Sequence, residues 1–289
     1  MAPAEAWTLV DNTAQGIGEC PLWDDRCNHL YWIDVQGRRL FRRDMSVSRT
    51  TSWTLSGAPG SIALRKQTGL LIAFRNGLAL FDPETGVEIR LDAAAADFAI
   101  ERFNDGACDR AGRFWVGSLD RALAGPAGGL FCLEPDGTFS RKAGGVAIGN
   151  GIAWSPDNRT LYHVDSLPGQ VLAYDYDLGE GALGERRVFA DFKDRTGTPD
   201  GCAIDAEGGL WVAAAGAGEL VRFHPSGRQI DAIACPVGRV TSLTFGGPDL
   251  RTAFVTSMRH GAADDDRLAG VTMAIPMPVA GLPLPRFGG

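Results

Sequence analysis

The feature that most constrains the fold is a repeat that runs through nearly the whole chain. Six segments share one pattern, in which a short apolar run is followed by a turn and then by a second apolar or aromatic run. They read ECPLWDDRCNHLYWID, PGSIALRKQTGLLIAF, NDGACDRAGRFWVGS, NGIAWSPDNRTLYHVD, DGCAIDAEGGLWVAA and TSLTFGGPDLRTAFVTS. One equivalent position in the second strand of each is occupied by Tyr31, Leu71, Trp115, Tyr162, Trp211 and Phe254, at spacings of 40, 44, 47, 49 and 43 residues. Blades of β-propellers, each of four strands, recur at about this interval. The repeat therefore predicts an all-β fold, a six-bladed β-propeller with a central channel, formed by residues 1–289 as a single domain.

The sequence between these positions favours strands joined by turns. The chain contains 38 glycines and 16 prolines, the residues that most often mark turns. Turn sequences follow short apolar runs at 82–86, 134–137 and 224–227, where proline presets φ and glycine accepts positive φ. This rhythm does not fit a βαβ fold, and only 93–98 could form a single helical turn. To close the ring, we expect Trp7–Val10 to supply the last strand of the blade that contains 271–275.

The charge and composition of the chain argue against several classes of protein. The formal net charge is −7 at pH 7, and a surface of this sign repels the phosphate backbone of nucleic acids. No stretch approaches the roughly 20 apolar residues that a membrane span needs, and the N-terminus lacks the features of a secretory signal. We therefore expect a cytoplasmic protein whose six cysteines are reduced. Because a propeller closes its own edges, we also expect a monomer.

The start of each repeat carries a residue that the repeat places near the channel axis. Counting back 11 to 13 positions from the aligned second-strand residue gives Glu19, Pro59, Asn104, Asn150, Asp200 and Thr241. The first strand of every propeller blade lines the channel, so equivalent positions converge there although they lie far apart in sequence. Carboxylate and amide oxygens suit a hard divalent cation, and neither a thiol nor a histidine occupies these positions. We expect one divalent metal ion. Calcium, magnesium and manganese fit the ligand type best, and zinc and iron(II) remain open.

A cationic side chain accompanies this set. Arg102 lies two residues before Asn104, so in an extended strand both side chains point the same way. A guanidinium group there could hold a substrate oxygen or stabilise developing negative charge. Each residue also has a plainer explanation, since Asn150-Gly151 and Asp200-Gly201 are common turn dipeptides and Glu19 or Arg102 alone could be surface residues. The shared phase across the repeat favours a joint site.

Four motifs resemble the family that includes regucalcin (senescence marker protein), bacterial gluconolactonases and related sugar lactonases. They are GECPLW at 18–23, RFNDG at 102–106, NGIAWSPD at 150–157 and PDG at 199–201. Each motif alone is weak, but the four in this order and at this spacing are specific, and the resemblance extends over about residues 5–285.

The resemblance implies a six-bladed propeller and assigns roles to particular residues. It implies a divalent metal held by Glu19, Asn150 and Asp200. It also implies that Arg102 and Asn104 contact a sugar lactone. In such proteins a lid contributes further substrate contacts. The loop 119–128 takes its place in this chain, and no role is assigned to Asp120 or Arg121 within it.

Taken together, these residues predict metal-dependent hydrolysis of a sugar (aldono-)lactone to its aldonic acid. The metal would polarise the lactone carbonyl. Arg102 and Asn104 would orient the hydroxyl groups, and Asp200 would both bind metal and help deprotonate the attacking water. Two alternatives stay open. One is a metal-dependent esterase or organophosphate hydrolase that uses the same channel; the other is a non-catalytic propeller that serves as a binding platform.

Overall fold

A computed structural model describes residues 6–91 and 95–289 and shows a six-bladed β-propeller. Its 24 strands, in chain order, are β1 (Thr8–Asp11), β2 (Gly18–Asp24), β3 (His29–Asp34), β4 (Arg39–Asp44), β5 (Arg49–Thr54), β6 (Pro59–Leu64), β7 (Leu70–Phe74), β8 (Gly77–Phe81), β9 (Glu88–Leu91), β10 (Glu101–Cys108), β11 (Phe114–Asp120), β12 (Gly128–Leu133), β13 (Phe139–Val146), β14 (Gly149–Trp154), β15 (Thr160–Asp165), β16 (Gln170–Asp177), β17 (Ala182–Asp191), β18 (Thr198–Ile204), β19 (Leu210–Ala215), β20 (Glu219–Phe223), β21 (Gln229–Ala234), β22 (Val240–Gly246), β23 (Thr252–Ser257) and β24 (Thr272–Pro276). The helical turn expected at 93–98 begins outside the described residues.

The ring closes as predicted. Five blades are built from consecutive strands, β2–β5, β6–β9, β10–β13, β14–β17 and β18–β21. The sixth has the order β22-β23-β24-β1, so the N-terminal strand forms the outer edge of the last blade. Thr8 lies opposite Ala274 and Leu9 opposite Met273 in this antiparallel pair. The two ends of the chain are thereby joined by backbone hydrogen bonds in one sheet.

The six repeats superimpose in register as well as in order. Each aligned second-strand residue lies opposite the same position of the innermost strand in its blade. The pairs are Leu22 with Tyr31, Ala63 with Leu71, Ala107 with Trp115, Ala153 with Tyr162, Ala203 with Trp211, and Thr244 with Phe254. The phase read from the sequence is therefore the phase of the fold.

The hydrophobic core is distributed between the blades. The described residues form six buried clusters, one at each contact between neighbouring blades. Trp32, Trp115 and Trp211, all on second strands, are fully buried. All six cysteines are free, and Cys20, Cys108 and Cys202 lie on innermost strands as expected. In the described part of the chain, no helix has the length and apolar character that crossing a membrane would require.

The C-terminal segment covers one mouth of the channel. Gly281 forms a bridge with Asp205, Phe287 forms one with Arg65, and the Gly288 N–H donates to the Gly112 carbonyl. These partners follow the ends of innermost strands β18, β6 and β10, so the tail crosses the mouth at which those strands finish. The segment 282–285 lines a cavity of about 120 Å³ that extends into the channel. The opposite mouth, where the innermost strands begin, lies away from this segment.

Candidate functional site

The predicted channel positions lie near the beginning of the innermost strands. Glu19, Pro59, Asn104, Asn150, Asp200 and Thr241 belong to β2, β6, β10, β14, β18 and β22. In all six strands the pairing with the second strand shifts register at or next to this position. A β-bulge bends its strand and re-aims the neighbouring side chains. The repeat thus places one re-aimed position from each blade at the same mouth of the channel.

The turn interpretation of two of these positions is wrong. Asn150-Gly151 and Asp200-Gly201 lie inside β14 and β18, and neither glycine has positive φ. Their role is close packing, because a Cβ on Gly151 would lie 2.7 Å from the carbonyl oxygen of Asp200. A Cβ on Gly201 would similarly lie 2.8 Å from Cα of Ser242. The missing side chains let adjacent innermost strands approach each other, which brings Asn150 close to Asp200.

Three carboxyl groups at this mouth, those of Glu19, Asp105 and Asp200, influence one another through their negative charges. Burial, followed by the negative charges of Asp200 and Asp105, holds the pKa of Glu19 well above its usual value. Burial and then Asp105 raise the pKa of Asp200 as well, while Arg239 opposes this shift. Burial raises the pKa of Asp105 to about 6. Ionised carboxylates in such an arrangement repel each other and have lost most of their hydration.

Sequence reasoning missed Asp105. In a regular strand it would point away from its neighbour Asn104. The bulge between Phe103 and Gly106 breaks this alternation, and the Gly106 N–H donates to Asp105 Oδ1 at 2.8 Å. The signal available in the sequence was the acidic residue that directly follows the repeat position Asn104 inside the RFNDG motif.

The two asparagines are joined in a chain of hydrogen bonds across three blades. Asn104 Nδ2 donates to Asn150 Oδ1 at 2.6 Å and to the Gly149 carbonyl at 3.0 Å. Asn150 Nδ2 donates to Ser166 Oγ at 2.7 Å, and Ser166 Oγ donates to the Pro199 carbonyl at 2.7 Å. The chain fixes both amide groups. It leaves Asn150 Oδ1 one lone pair for a further partner, since an amide oxygen has two.

Buried aspartates hold the segments that lead into this mouth. Asp34 and Asp165 share a repeat position, which suggests strand-end turn formers. Asp34 accepts hydrogen bonds from the backbone of Gly16 and Ile17, just before β2. Asp165 accepts them from Ala147 and Ile148, just before β14. Each aspartate ends the second strand of its blade and fixes the entry of the innermost strand. Their role is therefore structural.

The loop after β11 also has an internal anchor. The Asp120 carboxylate is buried and accepts hydrogen bonds from the backbone N–H groups of Ala122, Ala124 and Gly125. These bonds occupy both of its oxygens, so Asp120 shapes the expected lid. Arg121, the next residue, is exposed at the same mouth.

Arg102 lies beside two further arginines. Burial, followed by the positive charges of Arg75 and Arg121, lowers the pKa of Arg102 to about 10. Arg102 follows the first residue of β10, two positions before Asn104. The site thus has an acidic part formed by Glu19, Asp105 and Asp200 and a basic part around Arg102, and Asn104 lies between Arg102 and Asp105 in the sequence.

The donor set fits a divalent cation. Within residues 6–91 and 95–289, no Lys, Arg or His nitrogen lies within 4.0 Å of the carboxylates of Glu19, Asp105 or Asp200. Buried like charges without a counter-ion are costly unless a cation joins them. No three His, Cys, Asp or Glu side chains in the described chain are grouped closely enough to hold a metal by themselves. A cation here would therefore need the amide oxygen of Asn150 beside Glu19 and Asp200.

Comparison with known proteins identifies relatives over most of the chain. Residues 17–259 match the SMP-30/Gluconolactonase/LRE-like region. The chain is 37% identical over 256 residues to regucalcin of Xenopus laevis, covering 86% of this chain and 85% of that protein. It is 36% identical over 279 residues to a 6-deoxy-6-sulfogluconolactonase of Pseudomonas putida, covering 94% and 95% of the two chains.

The fold is shared with a solved structure. The crystal structure of a calcium-binding protein, regucalcin, from Agrobacterium tumefaciens superimposes with a TM-score of 0.90 at 29% identity, covering 96% of each chain. Together with the sequence matches and the six-bladed ring, this confirms the predicted resemblance. The chain belongs to the SMP-30/gluconolactonase/LRE-like family.

Proposed function

We propose that this protein hydrolyses a sugar (aldono-)lactone to the corresponding aldonic acid with the help of one divalent metal ion. The observation that carries the proposal is a group of desolvated carboxylates at one channel mouth, with no cationic side chain of the described residues within 4.0 Å and with the linked amides of Asn104 and Asn150 beside it. Membership of a family that includes proteins named as lactonases supports the reaction class.

The metal would be held by Glu19, Asn150 and Asp200. Their oxygens are the ligand type preferred by calcium, magnesium and manganese, and an open site of this kind also accepts zinc or iron(II). When bound, a divalent cation supplies Lewis-acid polarisation of a carbonyl oxygen. A relative described as calcium-binding supports the general proposal of a metal.

The chain's own residues would bind and orient the lactone. Asn104 is fixed by its hydrogen bonds to β14 and can offer its amide oxygen to a sugar hydroxyl. Arg102 presents a guanidinium group on the same strand. Because both groups are held by strand backbone, they restrict the substrate to few orientations, which favours reaction. Asp200 is the proposed proton acceptor for the attacking water, and Asp105 is a second carboxylate at the same mouth.

The test is an assay of metal-stripped protein against glucono-, xylono-, arabinono- and galactonolactone. Calcium, magnesium, manganese, zinc and iron(II) are added back one at a time, and acid release is followed. We expect one metal to restore hydrolysis. Glu19→Gln should lose this restoration, whereas Glu185→Gln, an exposed outer-strand variant with the same change of charge, should keep it.

A separate comparison of variants tests whether Asp200 or Asp105 acts as the general base. Asp200→Asn and Asp105→Asn are assayed at saturating metal. A variant that keeps metal affinity and full turnover excludes that residue as the base. Folded, metal-loaded protein that hydrolyses no lactone would contradict the proposal. In that case aryl esters and phosphotriesters become the next substrates to test, followed by binding partners.

The compartment and assembly are proposed on separate grounds. All six cysteines are free, which suits a reducing compartment, and we propose the cytoplasm. The N-terminal strand completes the last blade, so the ring has no unpaired inner edge, and we propose a monomer.

A further inference from the structure

Three arginines from three different points of the backbone lie at the mouth where the innermost strands begin. Arg75 directly follows β7, Arg102 lies on β10, and Arg121 directly follows β11. Second strands end at the mouth where innermost strands begin, since the two are antiparallel. All three residues therefore lie at the same end of the channel as Asn104.

Backbone hydrogen bonds fix how these residues sit relative to each other. Leu119 lies opposite Arg102 in the β10–β11 pair, and the Arg121 N–H donates to the Ile100 carbonyl at 2.9 Å. Arg102 and Arg121 are thus diagonal neighbours on one face of this pair, within reach of long side chains. The Phe103 N–H donates to the Arg75 carbonyl at 3.2 Å, which brings Arg75 beside the same strand.

Among the described residues, the three guanidinium groups have no negatively charged partner. Within residues 6–91 and 95–289, ten other arginines have a carboxylate oxygen within 4.0 Å, but Arg75, Arg102 and Arg121 have none. Arg75 Nε is buried and has no hydrogen-bond partner in this part of the chain. The only protein acceptor of the Arg121 side chain there is the Phe98 carbonyl, at 3.4 Å.

Such an arrangement is unfavourable unless something compensates it. Arg75 and Arg121 both repel the positive charge of Arg102, and burial adds to the cost of that charge. Guanidinium groups bind carboxylate, phosphate and similar anions through paired hydrogen bonds. A neutral lactone would use one or two of these donors for its hydroxyls and would leave the net positive charge uncompensated.

We propose that the preferred substrate is a lactone that carries a permanent negative charge on a substituent away from the ring carbonyl, and that Arg75, Arg102 and Arg121 bind that substituent. The inference rests on the proposed lactonase function. The reacting carbonyl would face the carboxylate group around Glu19. The charged substituent would lie toward β7 and the loop after β11. A carboxylate, a phosphate and a sulfonate share this chemistry.

Kinetics with matched substrates tests the proposal and separates the three anions. The metal-loaded enzyme is assayed with neutral glucono-1,5-lactone, its 6-phospho and 6-deoxy-6-sulfo counterparts, and glucaro-1,4-lactone, which bears a carboxylate. We expect kcat/KM to be at least 10-fold higher for one of the anionic lactones than for the neutral one, and increasing ionic strength should reduce the difference.

Variants of the arginines then show where the charged substituent of the lactone binds. Arg121→Gln and Arg75→Gln should each lower the ratio of kcat/KM for the anionic to the neutral lactone by about 10-fold or more, the range of one charge-assisted hydrogen bond. Arg121→Lys should restore part of the ratio. Arg228→Gln removes the same charge from the exposed turn between β20 and β21 and should leave this ratio of kcat/KM values unchanged. If Arg121→Gln and Arg75→Gln slow both lactones equally, the guanidinium groups act on the reacting centre and the proposal is overturned.

Equilibrium binding tests the anion site without any hydrolysis, so its result does not depend on the proposed lactonase function. Gluconate and 6-phosphogluconate, which need no hydrolysis, are titrated into wild type and Arg121→Gln by calorimetry. Tighter binding of 6-phosphogluconate that depends on Arg121 would support the anion site even if no lactone were hydrolysed. Hydrolysis of neutral lactones with no preference for any anionic lactone, and no preferential binding of 6-phosphogluconate, would leave the lactonase function intact and overturn the inference.

Discussion

The carboxylates of Glu19, Asp105 and Asp200 at the channel mouth should destabilise the metal-free protein, and Asp105→Asn should show by how much. Asparagine has nearly the same shape and can still accept the hydrogen bond from the Gly106 N–H. It mimics the protonated acid and removes the charge that faces Glu19 and Asp200. The variant should therefore be more stable than wild type when no metal is present.

The pKa of Asp105 gives the magnitude and the sign. In the folded protein it is about 6, against about 3.9 in an unfolded chain. Because the folded value is the higher one, stability is lost as the pH rises from about 4 through 6. The corresponding cost to wild type is about 1 kcal/mol at pH 4.5 and about 3 kcal/mol at pH 7.5. Asp105→Asn should therefore raise the free energy of unfolding by about 1 kcal/mol at pH 4.5 and by about 3 kcal/mol at pH 7.5.

Urea unfolding with a chelator present, at both pH values, measures this gain. Titrating groups that do not interact with Asp105 cancel because wild type and variant are compared at each pH. Asp231→Asn, an exposed change on β21, is the control and should shift stability by less than about 0.5 kcal/mol. An equal gain at both pH values, or a loss at pH 7.5, would show that burial does not raise the pKa of Asp105 as the structure indicates. Saturating metal should reverse the order of stability, because the wild-type site binds it more tightly.

Two further predictions concern the packing that holds the site. Asp205 is fully buried and accepts hydrogen bonds from Trp211 Nε1 at 2.9 Å and Arg222 Nε at 2.7 Å, so Asp205→Ala should cost about 3–5 kcal/mol in thermal or urea unfolding; a cost near that of Asp231→Ala would refute this ion pair as a structural element. Gly201→Ala would place a Cβ 2.8 Å from Ser242 Cα and should cost about 1–3 kcal/mol or more while lowering lactone turnover, measured by unfolding and by kcat. Unchanged unfolding in that variant would mean that the innermost strands can separate freely.

Much of the fold could be predicted because the same sequence pattern occurs six times along the chain. The alternation of apolar runs and turns predicted the number of blades, and aligning one apolar, mostly aromatic position predicted the register of the second strands. The closure by β1 followed from the need to pair both edges of the last blade. These inferences depend on periodic patterns, which the sequence displays directly.

The site was predictable in position but not in detail. Equivalent repeat positions brought Glu19, Asn150 and Asp200 to one mouth, as expected for innermost strands. Asp105 was missed because the register shift between Phe103 and Gly106 breaks the alternation of side chains that a regular strand would show. Ser166 was missed because its importance lies in a contact with Asn150 rather than in its own chemistry. The C-terminal tail lies outside the repeat, so nothing in the pattern indicated that it would cover the opposite mouth.

The arrangement separates the groups that would perform the reaction from those that would select the substrate. Glu19, Asn150 and Asp200 lie on innermost strands, each confined by a neighbouring blade through contacts that tolerate no added atom, as at Gly151. Arg75 and Arg121 instead follow the ends of second strands, where the backbone leaves the sheet and side chains can change without disturbing the ring. A substitution at Arg121 should therefore alter which lactone is preferred, while a substitution at Gly151 should damage hydrolysis of every lactone. On this reasoning the loops after β7 and β11 are where relatives of this fold can diverge in substrate while keeping one reaction.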